Sequence, residues 1–204
     1  MPDAQERDEA LMAQVVKAQP RALELLVCRH ADSLLTFIRR MILDHHRSEE
    51  LFQDVFLTVW TKRQLYEFPR PFKPWLYAIA LNKCRAFFRS RVPPAPSLNG
   101  DSDQVASRDG APSDRAIADE TDQQVLEAVH ELPPQQRAVV LLRIWEDLAY
   151  SDIAAVVGCC EGTVRSHMHH GLLALRRALG PRLGITLPDN ADRGAAKTAQ
   201  SIVK

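Results

Sequence analysis

The sequence predicts an all-α protein with two small helical domains joined by a flexible acidic linker, the second domain containing a helix-turn-helix. Apolar residues recur at helical spacing on both sides of a segment, 93–120, that is rich in Pro, Gly, Ser and Asp. No stretch shows the alternation that is typical of a β-strand. The length of 204 residues suits one domain or two small ones.

The predicted boundaries follow from this composition. Residues 1–92 are the first domain, 93–120 the linker, 121–180 the second domain, and 181–204 a loose C-terminal tail. The linker has few large apolar side chains, so it buries too little surface to offset the entropy lost on ordering.

Four helices are predicted in the first domain. The first covers 8–18, and the second begins at Pro20, because Pro is favoured at the first helical position. Ser48 is the expected N-cap of a third helix, 48–61. The fourth helix covers 75–91, after a stretch punctuated by prolines.

Charge is balanced over the whole chain but not locally. Lys and Arg number 26, as do Asp and Glu, which argues against a uniformly basic surface that binds nucleic acid unaided. Residues 62–91, however, carry eight basic side chains, one acidic side chain and interleaved aromatic rings. In single-strand binding, cations contact phosphates and aromatic rings receive unstacked bases. This stretch therefore predicts contact with an opened DNA strand. The alternative is that most of its rings belong to the core, which is the favoured interpretation for Trp75, Tyr77, Phe87 and Phe88 taken one by one.

After the linker, helices are predicted over 121–131 and 135–145, and a helix-turn-helix over 150–179. In the helix-turn-helix, Ala154 is small enough for a close helix crossing, Gly158 can adopt positive φ at the turn, and Val164 anchors the second helix. Ser151 is in a position to cap its first helix.

The second helix of this motif has an apolar face and a polar face. The predicted anchors are Val164, Met168, Leu172, Leu175 and Leu179. The polar face holds Ser166, His169, His170 and Arg177, with Arg165 on its flank. Arg pairs bidentately with guanine and Ser bonds base edges or phosphates, which favours duplex DNA in the major groove. The alternative is an ordinary helical hairpin with a solvated face.

The sequence supports metal binding and disulfide bonds less well than it supports DNA binding. The cysteines, Cys28, Cys84, Cys159 and Cys160, are too few and too irregularly spaced for a disulfide scaffold or a zinc site, so reduced thiols are expected. A metal-dependent enzyme would use the cluster Asp44, His45, His46, Glu49 and Glu50. Acidic residues at a helix start also favour its dipole, and no nucleophile constellation supports catalysis, so no enzyme activity, metal or cofactor is predicted.

No segment approaches the roughly 18–20 apolar residues that a membrane span needs. The first residues lack the apolar core of a signal peptide. A cytoplasmic protein is therefore expected.

Four motifs, in this order, resemble the extracytoplasmic-function (ECF) group of bacterial RNA polymerase sigma factors. They are RSEELFQDVFLTVW (47–60), FKPWLYAIALNKCRAFFRSR (72–91), LPPQQRAVVLLRIWEDLAYSDIAAVVG (132–158) and EGTVRSHMHHGLLALRR (161–177). The resemblance implies an initiation subunit whose two helical domains, regions 2 and 4, bind core RNA polymerase and direct it to promoters. It also implies control by an anti-sigma factor.

The resemblance assigns roles to residues of this chain. Docking on the β′ clamp coiled coil of core polymerase involves Gln53, Asp54 and Leu57 of the third helix, and the β subunit is a further partner. Capture and melting of the minus-10 element involves Lys73, Trp75, Asn82, Arg85 and Arg89. Recognition of the minus-35 element as duplex involves Arg165, Ser166, His169 and His170.

A second interpretation is an autonomous helix-turn-helix transcription regulator, whose first domain is a sensor or a dimerisation module. Tight binding of duplex promoter DNA without polymerase would favour that interpretation.

Overall fold

A computed structural model of the protein describes residues 7–91 and 118–182, which form eight α-helices and one short 3-10 helix and contain no strand. The helices are α1 (Asp8–Val16), α2 (Pro20–Ile42), α3 (His45–Thr61), α4 (Phe72–Arg91), α5 (Ala118–Glu131), α6 (Pro134–Ile144), α7 (Tyr150–Val157) and α8 (Glu161–Arg182). The 3-10 helix, Arg63–Leu65, lies between α3 and α4. The predicted all-α class is confirmed.

The predicted linker and tail lie largely outside the described residues. Of the linker, 93–120, only its last three residues are described, and they already belong to α5. Of the tail, 181–204, only residues 181 and 182 are described, and they end α8. None of the described helices is both long enough and apolar enough to cross a membrane.

The first half, 7–91, packs α1, α3 and α4 around α2. Phe37 of α2 and Tyr77 of α4 are almost fully buried, with their rings 5.1 Å apart in an edge-to-face arrangement. At the start of α4, the Phe72 N–H donates to the Glu9 carboxylate of α1 at 3.1 Å. This contact lets α4 begin three residues before the predicted start at residue 75, with Pro74 inside its first turn.

The start of α3 also differs from the prediction. Its N-cap is Asp44, whose carboxylate accepts the Arg47 N–H at 3.0 Å. Ser48, the predicted cap, is buried in the first turn, and its hydroxyl donates to the Asp44 carbonyl at 2.6 Å. The residues considered as metal ligands pair along α3 instead. The His45–Glu49 and His46–Glu50 distances are both 3.5 Å.

The second half, 118–182, contains the predicted helix-turn-helix in α7 and α8. Gly158 ends α7 with φ of 81°, which a residue without Cβ adopts freely, and Ala154 and Val164 are buried as expected. Ser151 does not cap α7. The N-cap is Ala149, and Ser151 is an exposed residue of the first turn.

The apolar face of α8 is turned slightly from the predicted one. Val164, Met168 and Leu175 are buried, but Leu172 is 44% exposed. Gly171, rather than Leu172, lies against α6. A Cβ on Gly171 would be 2.8 Å from Val140 Cγ2. The close approach of α8 to α6 therefore requires glycine at this position.

The two halves pack against each other through α2, α4, α5, α6 and α7. Arg137 of α6 is 5% exposed. Its guanidinium donates to the Met41 carbonyl of α2 at 2.6 Å, to the Leu132 carbonyl at 3.1 Å, and also to the His130 carbonyl. Burial lowers the pKa of Arg137 to about 10, so the side chain stays charged at neutral pH. This one cation joins the end of α2 to the α5–α6 connection.

The free energy of unfolding should fall between pH 7 and pH 5 because of His130. Burial and, to a smaller extent, the charge of Arg137 lower the pKa of His130 to about 4. An unfolded chain protonates its histidines near pH 6.5, so between about pH 6.5 and 4 it binds more protons than the folded chain. Urea denaturation at the two pH values measures the effect. His130→Gln, which does not titrate, should reduce it, and an unchanged pH dependence in that variant would contradict the prediction.

Candidate polymerase and nucleic-acid interface

The predicted polymerase contacts lie together on the solvent-facing side of α3. Gln53 and Asp54 are exposed and Leu57 is 60% exposed, because the helix turns its other side, with Val55 and Phe56, into the core. Asp54 accepts a hydrogen bond from Lys83 of α4 at 3.1 Å. Gln53 and Asp54 also line a groove of about 640 Å³ between α3 and α4.

A second cavity, of about 390 Å³, opens between α3, the 3-10 helix and α4. We call it the basic pocket, and its lining residues are Thr58, Lys62, Leu65, Arg70, Trp75, Ala78, Ile79, Asn82 and Lys83. It combines three cations with an indole ring and an amide, which are the groups that bind phosphates and unstacked bases. The half-buried ring of Trp75 is held edge-to-face by Tyr66, with centroids 5.1 Å apart.

Only two of the predicted minus-10 residues, Trp75 and Asn82, line the basic pocket. Three pocket cations, Lys62, Arg70 and Lys83, were not among the predicted site residues. They belong to the basic stretch 62–91, and the excess of positive charge in this stretch is the sequence signal that could have identified them. The sequence alone does not show which members of the stretch face one cavity.

Lys73 and Arg85 contact the second half of the chain. Lys73 Nζ donates to the Glu146 carbonyl at 2.8 Å and lies 3.3 Å from its carboxylate. Arg85 donates to the Gln135 side chain at 3.0 Å and to the Val157 carbonyl at 2.9 Å. We call these five residues the closing interface. Arg89, the remaining predicted minus-10 residue, is exposed near the end of α4.

The predicted minus-35 residues share the exposed side of α8. Arg165, Ser166, His169 and His170 are all exposed. The Arg165 guanidinium lies 4.7 Å from the centroid of the Tyr150 ring and donates to Glu161 at 3.1 Å. The side chain is therefore already held in place in the first turns of the helix, where such motifs contact bases.

The four cysteines are free thiols, and only Cys84 is buried. Cys160 precedes α8, with its sulfur 3.2 Å from the Thr163 hydroxyl oxygen. That hydrogen bond lowers the pKa of the exposed Cys160 thiol below its ordinary value.

Comparison with known proteins agrees with this arrangement. Residues 26–92 match Sigma-70 region 2, and residues 122–175 match Sigma-70, region 4. The RNA polymerase sigma-H factor of Pseudomonas aeruginosa is 30% identical over 187 residues, covering 88% of this chain and 97% of that protein. The ECF RNA polymerase sigma factor SigE of Mycolicibacterium smegmatis is 34% identical over 152 residues, covering 74% of this chain and 59% of that protein. The chain belongs to the ECF group of RNA polymerase sigma factors.

A solved structure shares the fold of this sigma factor. It is the sigma factor RpoE in complex with the anti-sigma factor NepR from Bartonella quintana, with a TM-score of 0.60 and 24% sequence identity. The match covers 76% of this chain and 95% of that one.

Proposed function

We propose that this ECF sigma factor binds core RNA polymerase and directs it to specific promoters, with no catalytic chemistry of its own. One observation carries the proposal: a single chain has two unlike surfaces suited to DNA. The basic pocket suits an opened strand, and the exposed side of α8 suits a duplex. A promoter must be read in both forms during initiation, whereas an autonomous helix-turn-helix regulator needs only the second surface.

The exposed side of α3 is the proposed docking site for polymerase. Gln53, Asp54 and Leu57 would contact the β′ clamp coiled coil, with further contacts to the β subunit. An exposed leucine beside polar groups combines apolar area with hydrogen-bonding capacity, as protein interfaces do.

The basic pocket is the proposed site for the minus-10 strand. The Trp75 ring would receive an unstacked base, and the Asn82 amide would bond its edge. Lys62, Arg70 and Lys83 would contact phosphates on either side. Lys73, Arg85 and Arg89 would extend the contact along α4.

The exposed side of α8 is the proposed reader of the minus-35 duplex. Arg165 and Ser166 are placed for base edges and phosphates, with His169 and His170 one turn further along. A neutral histidine is a weaker phosphate partner than arginine. In this region, contacts with bases would therefore contribute a larger share of the binding free energy than contacts with phosphates.

An anti-sigma factor is the proposed regulator, and the cytoplasm is the proposed site of action. The Bartonella quintana protein of the same fold is in complex with an anti-sigma factor. A partner of this kind would cover the polymerase-binding or DNA-binding surfaces of the present chain until a signal releases it.

Run-off transcription tests the function directly. Purified core polymerase is given a fragmented genomic library with and without this protein, and new start sites are mapped. Discrete starts that share two upstream elements are expected. Well-folded protein with active core but no new starts would contradict the proposal and favour the autonomous regulator.

Asp54→Ala should weaken holoenzyme assembly by about 1–2 kcal/mol, or roughly 5–30-fold in Kd, because it removes an exposed charge from the proposed docking side of α3. Titration of labelled core polymerase measures it. Asp32→Ala, which removes an exposed acid from α2, is the matched control and should leave the affinity unchanged. Equal effects of the two substitutions on the affinity would contradict the proposal that core polymerase docks on α3.

A further inference from the structure

The connection between α7 and α8 holds two adjacent cysteines, Cys159 and Cys160, to which the proposed function gives no role. Only residues 158–160 separate Val157, the end of α7, from Glu161, the start of α8. Both thiols are free, Cys159 half-buried and Cys160 exposed. Two nucleophilic groups therefore lie side by side where the proposed minus-35 helix begins.

The sulfur of Cys160 lies over the first turn of α8. It is 3.2 Å from the Thr163 hydroxyl oxygen and 3.9 Å from the point that a Cβ on Gly162 would occupy. The first N–H groups of a helix have no partner inside it, and their partial positive charge favours a thiolate. The Thr163 hydroxyl and, with smaller effects, the backbone of Thr163 and Gly162 lower the pKa of Cys160. Exposure and this surrounding together suit a nucleophile.

The other two cysteines have different surroundings. Cys28 is exposed but lies inside α2, away from the helix start. Cys84 is buried in the core, and burial raises its pKa to about 12. Neither has a second cysteine beside it in the sequence. The chain thus offers an exposed thiol and a buried thiol as internal references for the pair.

The two adjacent cysteines are fixed to different helices. The Cys159 N–H donates to the Ala154 carbonyl of α7 at 3.1 Å, and the Cys160 carbonyl accepts the Val164 N–H of α8 at 3.1 Å. A disulfide usually joins residues whose Cα atoms are roughly 4.4–6.8 Å apart, whereas neighbours across a trans peptide are about 3.8 Å apart. A bond between these two sulfurs therefore requires the backbone of the connection to change, which moves the start of α8 relative to α7.

Such a movement would reach Arg165, the first of the proposed minus-35 residues. The Arg165 guanidinium lies 4.7 Å from the centroid of the Tyr150 ring, and Tyr150 is the first residue of α7. The contact that holds Arg165 in place therefore depends on how α7 and α8 are aligned. A distorted connection would disturb that contact and the direction in which α8 presents its exposed side.

We propose that Cys159 and Cys160 form a hydroperoxide-sensitive thiol pair, whose oxidation to a disulfide switches off the reading of minus-35 DNA by α8. The effect on promoters rests on the proposed function of α8, whereas the oxidation itself does not. An exposed, activated cysteine with a second thiol beside it is the arrangement that redox-sensing proteins use.

The oxidation has two steps. The Cys160 thiolate attacks the peroxide, so that an S–O bond forms and the O–O bond breaks, and the leaving hydroxide becomes water with the proton that the thiol released. Cys159 then attacks the sulfur of this sulfenic acid, an S–S bond replaces the S–O bond, and a second water leaves in the same way. The two thiols lose two electrons, and one peroxide is reduced. A dithiol reductant reverses the change by thiol–disulfide exchange.

Peptide mapping of the full chain tests the chemistry. The protein is treated with dilute hydrogen peroxide, alkylated and digested with trypsin, which leaves both cysteines in the peptide 144–165 and Cys28 in another. The peptide 144–165 should lose two hydrogens and take up no alkyl group, about five times faster than Cys28 is oxidised. Cys159→Ser should leave a sulfenic acid on Cys160 that dimedone traps, and Cys160→Ser should abolish the reaction.

Run-off transcription from a promoter that depends on the minus-35 element tests the consequence. The protein is oxidised first and the peroxide removed, so that core polymerase never meets the oxidant. Initiation should fall about tenfold, as expected for loss of a base contact, and dithiothreitol should restore it. Affinity for core polymerase should not change, because the proposed docking residues are on α3.

Two variants serve as controls for this consequence. Serine is a preferred N-cap residue, so Cys160→Ser should keep the start of α8 and initiate equally well with and without peroxide treatment. Cys28→Ser removes the other exposed thiol of the described residues and should respond to peroxide as the unaltered chain does. A response that disappears in Cys28→Ser would assign the effect to the wrong thiol and overturn the proposal.

Other outcomes overturn it at separate points. Equal oxidation rates for Cys28 and the pair, or a lasting sulfenic acid beside a free Cys159 in the unaltered chain, would contradict the thiol pair. A disulfide that forms without any loss of initiation would contradict the switch. If the reduced protein also failed to initiate, the proposed function would be wrong, and the peptide map would still decide the thiol chemistry.

Discussion

Arg137→Met should lower the free energy of unfolding by about 3 kcal/mol. Three backbone carbonyls, those of Met41, His130 and Leu132, accept from the Arg137 guanidinium. A buried acceptor left without a donor costs about 1–3 kcal/mol, and part of the total is returned because a charge no longer has to be buried. Methionine keeps the length of the side chain but has no donor.

Urea denaturation at pH 7 measures this loss, and Arg143→Met is the matched control. Arg143 is also on α6, but it is half-buried and bonds the Leu148 carbonyl and the exposed Asp147 within the second half. Its substitution should cost about 1 kcal/mol. A loss of the same size in both variants would show that the three carbonyls bonded to Arg137 add no more to the free energy of unfolding than the contacts of Arg143 do.

Arg165→Ala should reduce initiation at promoters that depend on the minus-35 element by about 1–3 kcal/mol, or roughly 5–150-fold. The side chain is exposed near the start of α8, and the Tyr150 ring and Glu161 hold it in place. Little conformational entropy is therefore lost when it meets a base, which raises the contribution of the contact.

Run-off transcription on a mapped promoter measures the effect of Arg165→Ala, and core-binding titration shows whether assembly is intact. Arg176→Ala is the control, because Arg176 is an exposed arginine on the same helix, beyond the proposed minus-35 residues. If Arg165→Ala and Asp54→Ala impaired the same step, the proposed division between DNA reading and polymerase docking would be wrong.

Most of the fold follows from local rules that the sequence displays. Pro20 opens α2 and Gly158 ends α7, as the propensities of these residues predict. The start of α4 could not be predicted in the same way, because the Glu9 carboxylate that accepts the Phe72 N–H is 63 residues away in the chain. For α3, the predicted cap Ser48 is buried inside the first turn, and the N-cap is Asp44 instead.

The candidate site likewise has parts that the sequence predicts and parts that only the packing of the helices determines. The exposed sides of α3 and α8 follow from helical periodicity, so Asp54 and Arg165 are where the sequence places them. The basic pocket and the closing interface depend on which helices meet. Lys73 and Trp75 are two residues apart on α4, yet Trp75 lines the pocket while Lys73 contacts Glu146, 73 residues further along.

The contact between Arg40 and Trp145 gives the protein a built-in optical reporter. The Arg40 guanidinium of the first half lies 4.6 Å from the centroid of the Trp145 ring, and this indole is 37% exposed. The other two tryptophans, Trp60 and Trp75, have their ring partners, Arg63 and Tyr66, within the first half. Separation of the halves therefore changes the surroundings of one fluorophore out of three, so intrinsic emission follows it in real time without a dye.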